Sequence, residues 1–264
     1  VRYTVCMPKY SDFVGVIFDV DDTLLDNFPR QLGKRLHERS RRAAIHEVGR
    51  RHGIKALEAI TPQENLDGFL TAPVHSLESA VWNIMFRAGL VAANTPEPDN
   101  PIFQEIVRLK TELHEKILRE EGQEVPGASA FVRSLAAHGF DGKMAIASTA
   151  VRREIDIFLD SVGLTELFPD ERIISKAEVT HVKPHPEAFN LAFQRLNLPE
   201  GDKSRVLVFE DDPRGIMAAK AADMYVCAIT TCFDREVLEQ AAVPPDLIAD
   251  SFAEFAKLLG LPKQ

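Results

Sequence analysis

Residues 14–18 form an uninterrupted apolar run that stops at Asp19, with further acidic residues and Thr23 directly after it. A run of this kind, bounded by polar residues, predicts a buried strand that delivers polar groups at its carboxyl end. The same grammar recurs twice. Residues 143–147 lead into Ser148 and Thr149, and residues 205–209 lead into Glu210, Asp211 and Asp212. Weaker runs predict strands over 172–175, 225–230 and 247–249. Between them, apolar positions at helical spacing predict helices over 128–138, 151–162, 186–196, 213–222 and 252–259, three of them closed by Gly139, Gly163 and Gly260. Strand and helix thus alternate through the C-terminal half. That alternation predicts an α/β fold with a mainly parallel sheet, helices on both faces, and ligands bound beyond the carboxyl ends of the strands. The acidic and hydroxyl clusters fall at that edge.

Residues 28–125 read differently. They carry helical periodicity, no convincing strand, and breaks at Thr61-Pro62, Ala72-Pro73 and 95–101. The expected organisation is a core made of residues 1–27 and 126–264, with 28–125 inserted as a helical domain. The turns that bound the insert, after Asp26-Asn27 and at Val125-Pro126-Gly127, lie close to the expected active edge. A lid on two such short hinges suits closure over a substrate and exclusion of water. Internal repeats and low-complexity tracts are absent from the sequence.

A chain of 264 residues, 45% hydrophobic and 27% charged, is long enough for such a two-part α/β protein and has the balance of a soluble globular one. It has no run of about 18 apolar residues, and residues 1–9 lack the apolar stretch of a secretory leader, so no membrane and a cytoplasmic location are expected. Cys6, Cys227 and Cys232 are odd in number and too widely spaced for a zinc knuckle or a redox pair, and read as reduced thiols. A formal net charge of -9 argues against nucleic acid as a partner. One basic segment interrupts the acidic chain: Arg30, Lys34, Arg35, Arg39, Arg41, Arg42, Arg50 and Arg51, opposed by Glu38 and Glu47. It reads first as a solvated helix face, and second as an attractor for an anionic substrate.

The chemistry concentrates at the strand ends. Asp19 and Asp21 stand two positions apart where a strand becomes a loop. One carboxylate at such a place can stay ionised beside a magnesium ion and attack phosphorus, while the other holds a proton for the leaving oxygen. Asp211 reads as a direct metal ligand and Glu210 as one acting through water. Ser148 and the backbone N–H that follows it, that of Thr149, read as donors to phosphate oxygens. Lys183 reads as the charge that neutralises both the nucleophile and the transferring group.

Taken in order, Asp19-Val-Asp-Asp-Thr23, Ile146-Ala-Ser148, Lys183-Pro-His-Pro-Glu-Ala-Phe189 and Val208-Phe-Glu-Asp-Asp-Pro-Arg-Gly-Ile216 resemble the four motifs of the haloacid dehalogenase-like superfamily, over nearly the whole chain. The resemblance implies a Rossmann-like core with a helical cap inserted after the first motif. It also implies an aspartyl-phosphate on Asp19, acid/base action by Asp21, and magnesium held by Asp19, the Asp21 carbonyl and Asp211. Within the superfamily the sequence is most similar to the β-phosphoglucomutase and phosphoglycolate phosphatase branch. A second carboxylate at Asp21 argues against carbon–halogen cleavage, which needs no acid for a leaving oxygen.

The expected activity is therefore hydrolysis of a small phosphomonoester. A sugar phosphomutase is the alternative, weakened because residues 26–31 lack the hinge histidine that the mutases carry. A phosphate-binding protein without chemistry is the third reading. Lys110, roughly where the mutases keep a substrate-binding lysine, reads first as a solvated helix lysine. His46 and His52 have the wrong spacing for a zinc pair and read as surface residues. His181 and His185 flank Lys183 among prolines that forbid a helix, and read as loop residues shaping its approach. Trp82, Met85 and Phe86 read as core. Gly215 and Arg214 receive no firm role, and Asp12, Asp22 and Asp212 are acidic residues that nothing singles out.

Overall fold

The computed structural model describes residues 8–27, 32–74 and 76–262. Cys6, Arg30, residues 28–31 at the start of the expected insert, and most of the amino-terminal segment read for a leader lie outside the described residues. The chain divides into two compact units, Asn27–Glu121 and Val1–Asp26 with Gly122–Gln264.

The first of these is helical: α1 (Leu36–His52), α2 (Lys55–Glu58), α3 (Pro62–Leu70), α4 (Leu77–Arg87) and α5 (Pro101–Glu121). α1 stops at Gly53, whose φ of 66° is the left-handed conformation that closes a helix without steric penalty. α3 starts from a reciprocal cap: Thr61 Oγ1 accepts from the Glu64 N–H at 3.2 Å, and the Glu64 carboxylate accepts from the Thr61 N–H at 2.8 Å. The apolar stripes of these helices meet in a core built from Ile45, Val48, Trp82, Ile84, Phe103 and Ile106, among others. Each fully buried side chain of this size contributes about 1.5–3 kcal/mol. Trp82 packs edge-on against Phe103 at 5.3 Å and donates its ring N–H to the Ala93 carbonyl at 2.8 Å. Met85 joins this core, whereas Phe86, expected in it, stands 39% exposed in the last turn of α4.

The basic segment splits along α1. Arg39 pairs with Glu121 at 2.6 Å, and Arg50 and Arg51 share Glu47, as a solvated face does. Arg41 instead is buried, bonded to Asn65 Oδ1 at 2.8 Å and lying over the Phe69 ring at 5.2 Å. Lys110 is also buried rather than solvated, with its ammonium 3.4 Å from His37 Nδ1. Neither could be read from local sequence, because a long-range neighbour supplies each environment. His46 meets the Ile60 carbonyl at 2.8 Å, and His52, exposed at the surface, meets Glu105 at 2.7 Å, so the two do not share a ligand site.

The second unit carries β1 (Gly15–Phe18), β2 (Leu25–Asp26), β3 (Gln123–Glu124), β4 (Met144–Ala147), β5 (Ile173–Ile174), β6 (Val206–Glu210), β7 (Tyr225–Ile229) and β8 (Leu247–Ala249). It also carries α6 (Ala128–Leu135), α7 (Arg152–Ser161), α8 (Glu187–Arg195), α9 (Pro213–Ala221), α10 (Arg235–Glu239) and α11 (Phe252–Leu258). Six strands form one parallel sheet in the order β5-β4-β1-β6-β7-β8. Ile17 and Val208 point to one face, where Phe189 and Phe193 of α8 and Ile216 of α9 cover them. Their neighbours Phe18 and Phe209 point to the other face and stack at 5.1 Å beneath Phe131 and Phe255. Burial on both faces is why these strands read as continuous apolar runs. From β1 the chain builds outward through β4 and β5 on one side, then returns to build β6, β7 and β8 on the other. In open parallel sheets ligands bind at such a reversal, here beyond the carboxyl ends of β1, β4 and β6.

Three local departures have local causes. α6 ends at Leu135, and a wider turn over Ala136–Phe140, with Gly139 at φ 100°, replaces the last expected turn. β5 keeps only two residues of the expected 172–175. β3 falls in a stretch expected to be wholly helical; it pairs antiparallel with β2, Leu25 opposite Glu124, and two residues are too few to show a period. No helix among the described residues is long and apolar enough to cross a membrane.

Candidate active site

Asp19 is the first residue past β1, and its N–H donates to the Phe209 carbonyl at 3.0 Å, which extends the β1–β6 ladder by one step. The register pairs Phe18 with Phe209, so Asp19 and Glu210 arrive at the same level on adjacent strands. Lys183, from the loop before α8, reaches both: its ammonium donates to Asp19 Oδ1 at 2.6 Å and to Glu210 Oε1 at 2.5 Å. The lysine head also lies 4.9 Å from the Phe189 ring centre. All three side chains are nearly closed to solvent, at 8% exposure or less.

Glu210 is held on its other oxygen as well. Oε2 accepts from the N–H groups of Asp211 at 3.1 Å and Asp212 at 3.2 Å. Gly215, in the first turn of α9, leaves room for this arrangement: a Cβ there would stand 1.9 Å from Glu210 Oε1 and 2.1 Å from the carboxyl carbon. The sequence gives Gly215 no firm role, yet the close approach requires a residue without a side chain. Thr23, quoted in the first motif without a function, donates its hydroxyl to Asp211 Oδ1 at 3.1 Å. Asp212 caps α9 through the Arg214 N–H at 2.7 Å and pairs with the Arg214 guanidinium, so both are structural.

The loop from Asp19 turns back on itself. The Val20 carbonyl accepts from the N–H groups of Leu24 and Leu25, and Asp22, at φ 59°, donates its N–H to the Leu25 carbonyl at 2.7 Å. The Thr231 hydroxyl donates to the Asp22 carbonyl and ties this loop to the end of β7. Asp21 bridges Leu25 within the loop and is half-buried. Ser148, past β4, is buried and accepts from the Ala150 N–H at 3.1 Å, which leaves its own O–H as a donor. Thr149 beside it is exposed. Asp12 precedes β1, at the opposite end from Asp19, where it accepts from the Lys9 N–H; it is not at the active edge.

Electrostatics single out the cluster. Burial, with the charges of Glu210 and Asp21 adding to it, pushes the Asp19 carboxyl well above the ordinary range, although Lys183 pulls it back. Burial and then the neighbouring Glu210, Asp19 and Asp22 do the same to Asp211. Burial disfavours the Lys183 ammonium, but Asp19 and Glu210 outweigh it and raise the lysine's pKa. One oxygen each from Asp19, Glu210 and Asp211 can meet within 4.8 Å. Three buried carboxyl groups against the Lys183 ammonium leave a formal surplus of two acidic groups. An all-oxygen donor set with that surplus fits a hard divalent cation. Asp22, Asp211 and Cys232 form a mixed oxygen and sulfur group beside it.

The comparisons with known proteins agree with this geometry. Residues 13–223 match the model of the haloacid dehalogenase-like hydrolase family. The chain is 33% identical over 147 residues to glycerol-1-phosphate phosphohydrolase 1 of Saccharomyces cerevisiae, a match that spans 54% of this chain and only 57% of that protein. To the phosphoglycolate phosphatase of Salmonella typhi it is 27% identical over 267 residues, which cover 97% of this chain and 96% of the relative. Among solved structures, a family IA hydrolase of Entamoeba histolytica superposes with a TM-score of 0.70 at 20% identity, over 94% of this chain and 98% of the other, and so shares the fold. With the family model covering most of the chain and the parallel sheet carrying its acidic cluster at the expected edge, the protein belongs to the haloacid dehalogenase-like hydrolases.

Proposed function

We propose that the protein is a magnesium-dependent phosphatase that hydrolyses a small phosphorylated metabolite through an acyl-phosphate on Asp19. The observation that carries this reading is the Lys183 ammonium, 2.6 Å from Asp19 and 2.5 Å from Glu210, at the end of the central strand. Magnesium would be held by Asp19, the Asp21 carbonyl and Asp211, with Glu210 acting through water, and when bound it supplies positive charge to the phosphoryl oxygens. In the first step an Asp19 oxygen attacks phosphorus, the bond from phosphorus to the ester oxygen breaks, and Asp21 gives its proton to the departing alkoxide. Asp21 then takes a proton from water, whose oxygen attacks phosphorus and releases inorganic phosphate, regenerating the Asp19 carboxylate. Ser148 O–H, the Thr149 N–H and Lys183 donate to the phosphoryl oxygens as charge builds on them.

Two phosphatases of small phosphoesters among the relatives support this substrate class. In the same reading the inserted residues 28–125 act as a cap that selects the leaving group. The antiparallel pairing of β2 with β3, Leu25 opposite Glu124, is compatible with this reading. A cytoplasmic location accords with Cys227 and Cys232 standing outside any disulfide. A sugar phosphomutase remains the second reading, favoured by the burial of Lys110 on α5.

The deciding experiment measures inorganic phosphate released from a panel of small phosphomonoesters, with magnesium and with chelator, against Asp19→Asn as blank. Release that requires both magnesium and Asp19 is the expected result. A folded Asp19→Asn protein with wild-type turnover would overturn the mechanism. Isomer formed without phosphate release, in the presence of a sugar bisphosphate, would replace hydrolysis by the mutase reaction.

A further inference from the structure

The loop that delivers Lys183 carries a second group of donors, chemically unlike the acidic cluster. His181 and His185 flank the lysine at two positions on either side, and Glu187 opens α8. His181 Nδ1 lies 2.9 Å from Glu187 Oε2, and His185 Nδ1 lies 3.8 Å from the same oxygen. The two imidazole rings are 4.5 Å apart between centres and inclined by 34°. One donor atom from each of the three residues falls within 4.8 Å of the others. Donors bound to one first-row metal at about 2.0–2.1 Å in tetrahedral geometry are separated by about 3.3 Å. The observed 2.9 and 3.8 Å bracket that separation.

Several features prepare these donors. Glu187 accepts from the N–H groups of Thr180 at 2.8 Å and His181 at 2.9 Å, so its carboxylate is fixed. Those hydrogen bonds bring its pKa down to about 2, which keeps it ionised. His185 Nδ1 accepts a long hydrogen bond from the Glu187 N–H at 3.3 Å, so this nitrogen is unprotonated, and a metal bound to it would take over the lone pair now turned to that N–H. Pro184 and Pro186 bracket His185 and restrict the backbone, so little conformational freedom is lost on binding. His181 and His185 are 62% and 51% exposed, open to an incoming ion and to the waters that complete its shell.

We infer that His181, His185 and Glu187 form a site for a first-row divalent metal such as zinc, separate from the magnesium cluster. Two imidazoles and one carboxylate favour zinc, cobalt, nickel or copper over magnesium, which takes oxygen donors. Binding replaces the proton between His181 Nδ1 and Glu187 by the metal, and that proton leaves to solvent. The site's existence does not depend on the proposed phosphatase activity.

The test uses the full untagged chain in excess magnesium, titrated with Co2+ and followed by its visible absorption, with Zn2+ added as competitor. The expected result is one cobalt site displaced by zinc. His181→Ala and His185→Ala should each weaken it about tenfold or more, with unchanged circular dichroism. Asp19→Asn should leave it intact. The inference is overturned if no cobalt binds in excess magnesium, if both histidine variants bind as the wild type does, or if the site is lost with Asp19→Asn instead.

Discussion

Gly215→Ala isolates the contact on which the acidic cluster depends. The added methyl would meet Glu210 Oε1 at 1.9 Å, and ordinary contact begins at 3.4 Å, so the carboxylate must move by about 1.5 Å. It cannot do so freely. Oε1 is bound by Lys183 and Oε2 by the Asp211 and Asp212 N–H groups, in a side chain 1% exposed. Overpacking of this kind costs about 1–3 kcal/mol, and weakening a hydrogen bond to a charged group about 1.5–3 kcal/mol, so a loss near 3 kcal/mol is expected. Because Lys183 also positions Asp19, a displacement of this size should lower kcat/KM by about 100-fold. Urea unfolding and phosphate release measure the two effects. The decisive comparison repeats the substitution in a Glu210→Ala background. There the clash is gone, and alanine within α9 should stabilise by up to about 1 kcal/mol through helix propensity alone. If Gly215→Ala is neutral or stabilising in the wild-type background too, the close packing of Glu210 on α9 is not what the glycine serves.

Lys183→Met removes the ammonium that pairs with the buried carboxylates; without magnesium it should lower stability by about 3–5 kcal/mol, and added magnesium should restore part of the loss in a urea titration. Under the proposed metal assignment, the raised pKa values of Asp19 and Asp211 would make protons compete with magnesium. Folded-state pKa values above the unfolded ones mean that protonation favours the metal-free fold, fully below the unfolded values near 3.9 and progressively less as pH rises through the folded ones. The magnesium-induced rise in Tm should therefore shrink on acidification, beginning above the ordinary carboxylate range; a shift independent of pH between about 7 and about 4.5 would count against the assignment. Glu187 has a depressed pKa of about 2, so whatever stability its hydrogen bonds confer is present above the unfolded value and lost as pH falls through about 2. Carboxyl carbon chemical shifts should show Glu187 still ionised at a pH where exposed glutamates are half protonated.

Much of the protein is legible in the order of its residues. Strands buried on both faces must be apolar along their length, so β1, β4 and β6 announce themselves and their ends mark where polar groups emerge. Because those strands are parallel, their carboxyl ends share one edge, which is why Asp19, Ser148 and Glu210 can be grouped before any coordinate is known. Lys183 can be grouped with that edge by its charge and by its resemblance to a family motif, but nothing local requires a loop lysine to fold inward.

What the tertiary structure decided are relations between residues far apart in the chain. Thr23 finds Asp211 across 188 positions, and Asn65 makes Arg41 a core residue instead of a solvated one. Lys110 is buried beside His37 for the same reason. Gly215 and Glu210 are only five residues apart, yet their contact depends on a strand-to-helix turn whose path periodicity does not encode. Hydrophobic pattern is a property of one segment against a generic interior, and it survives in sequence. Charge pairing and close approach are properties of two specific surfaces, and only folding brings those surfaces together.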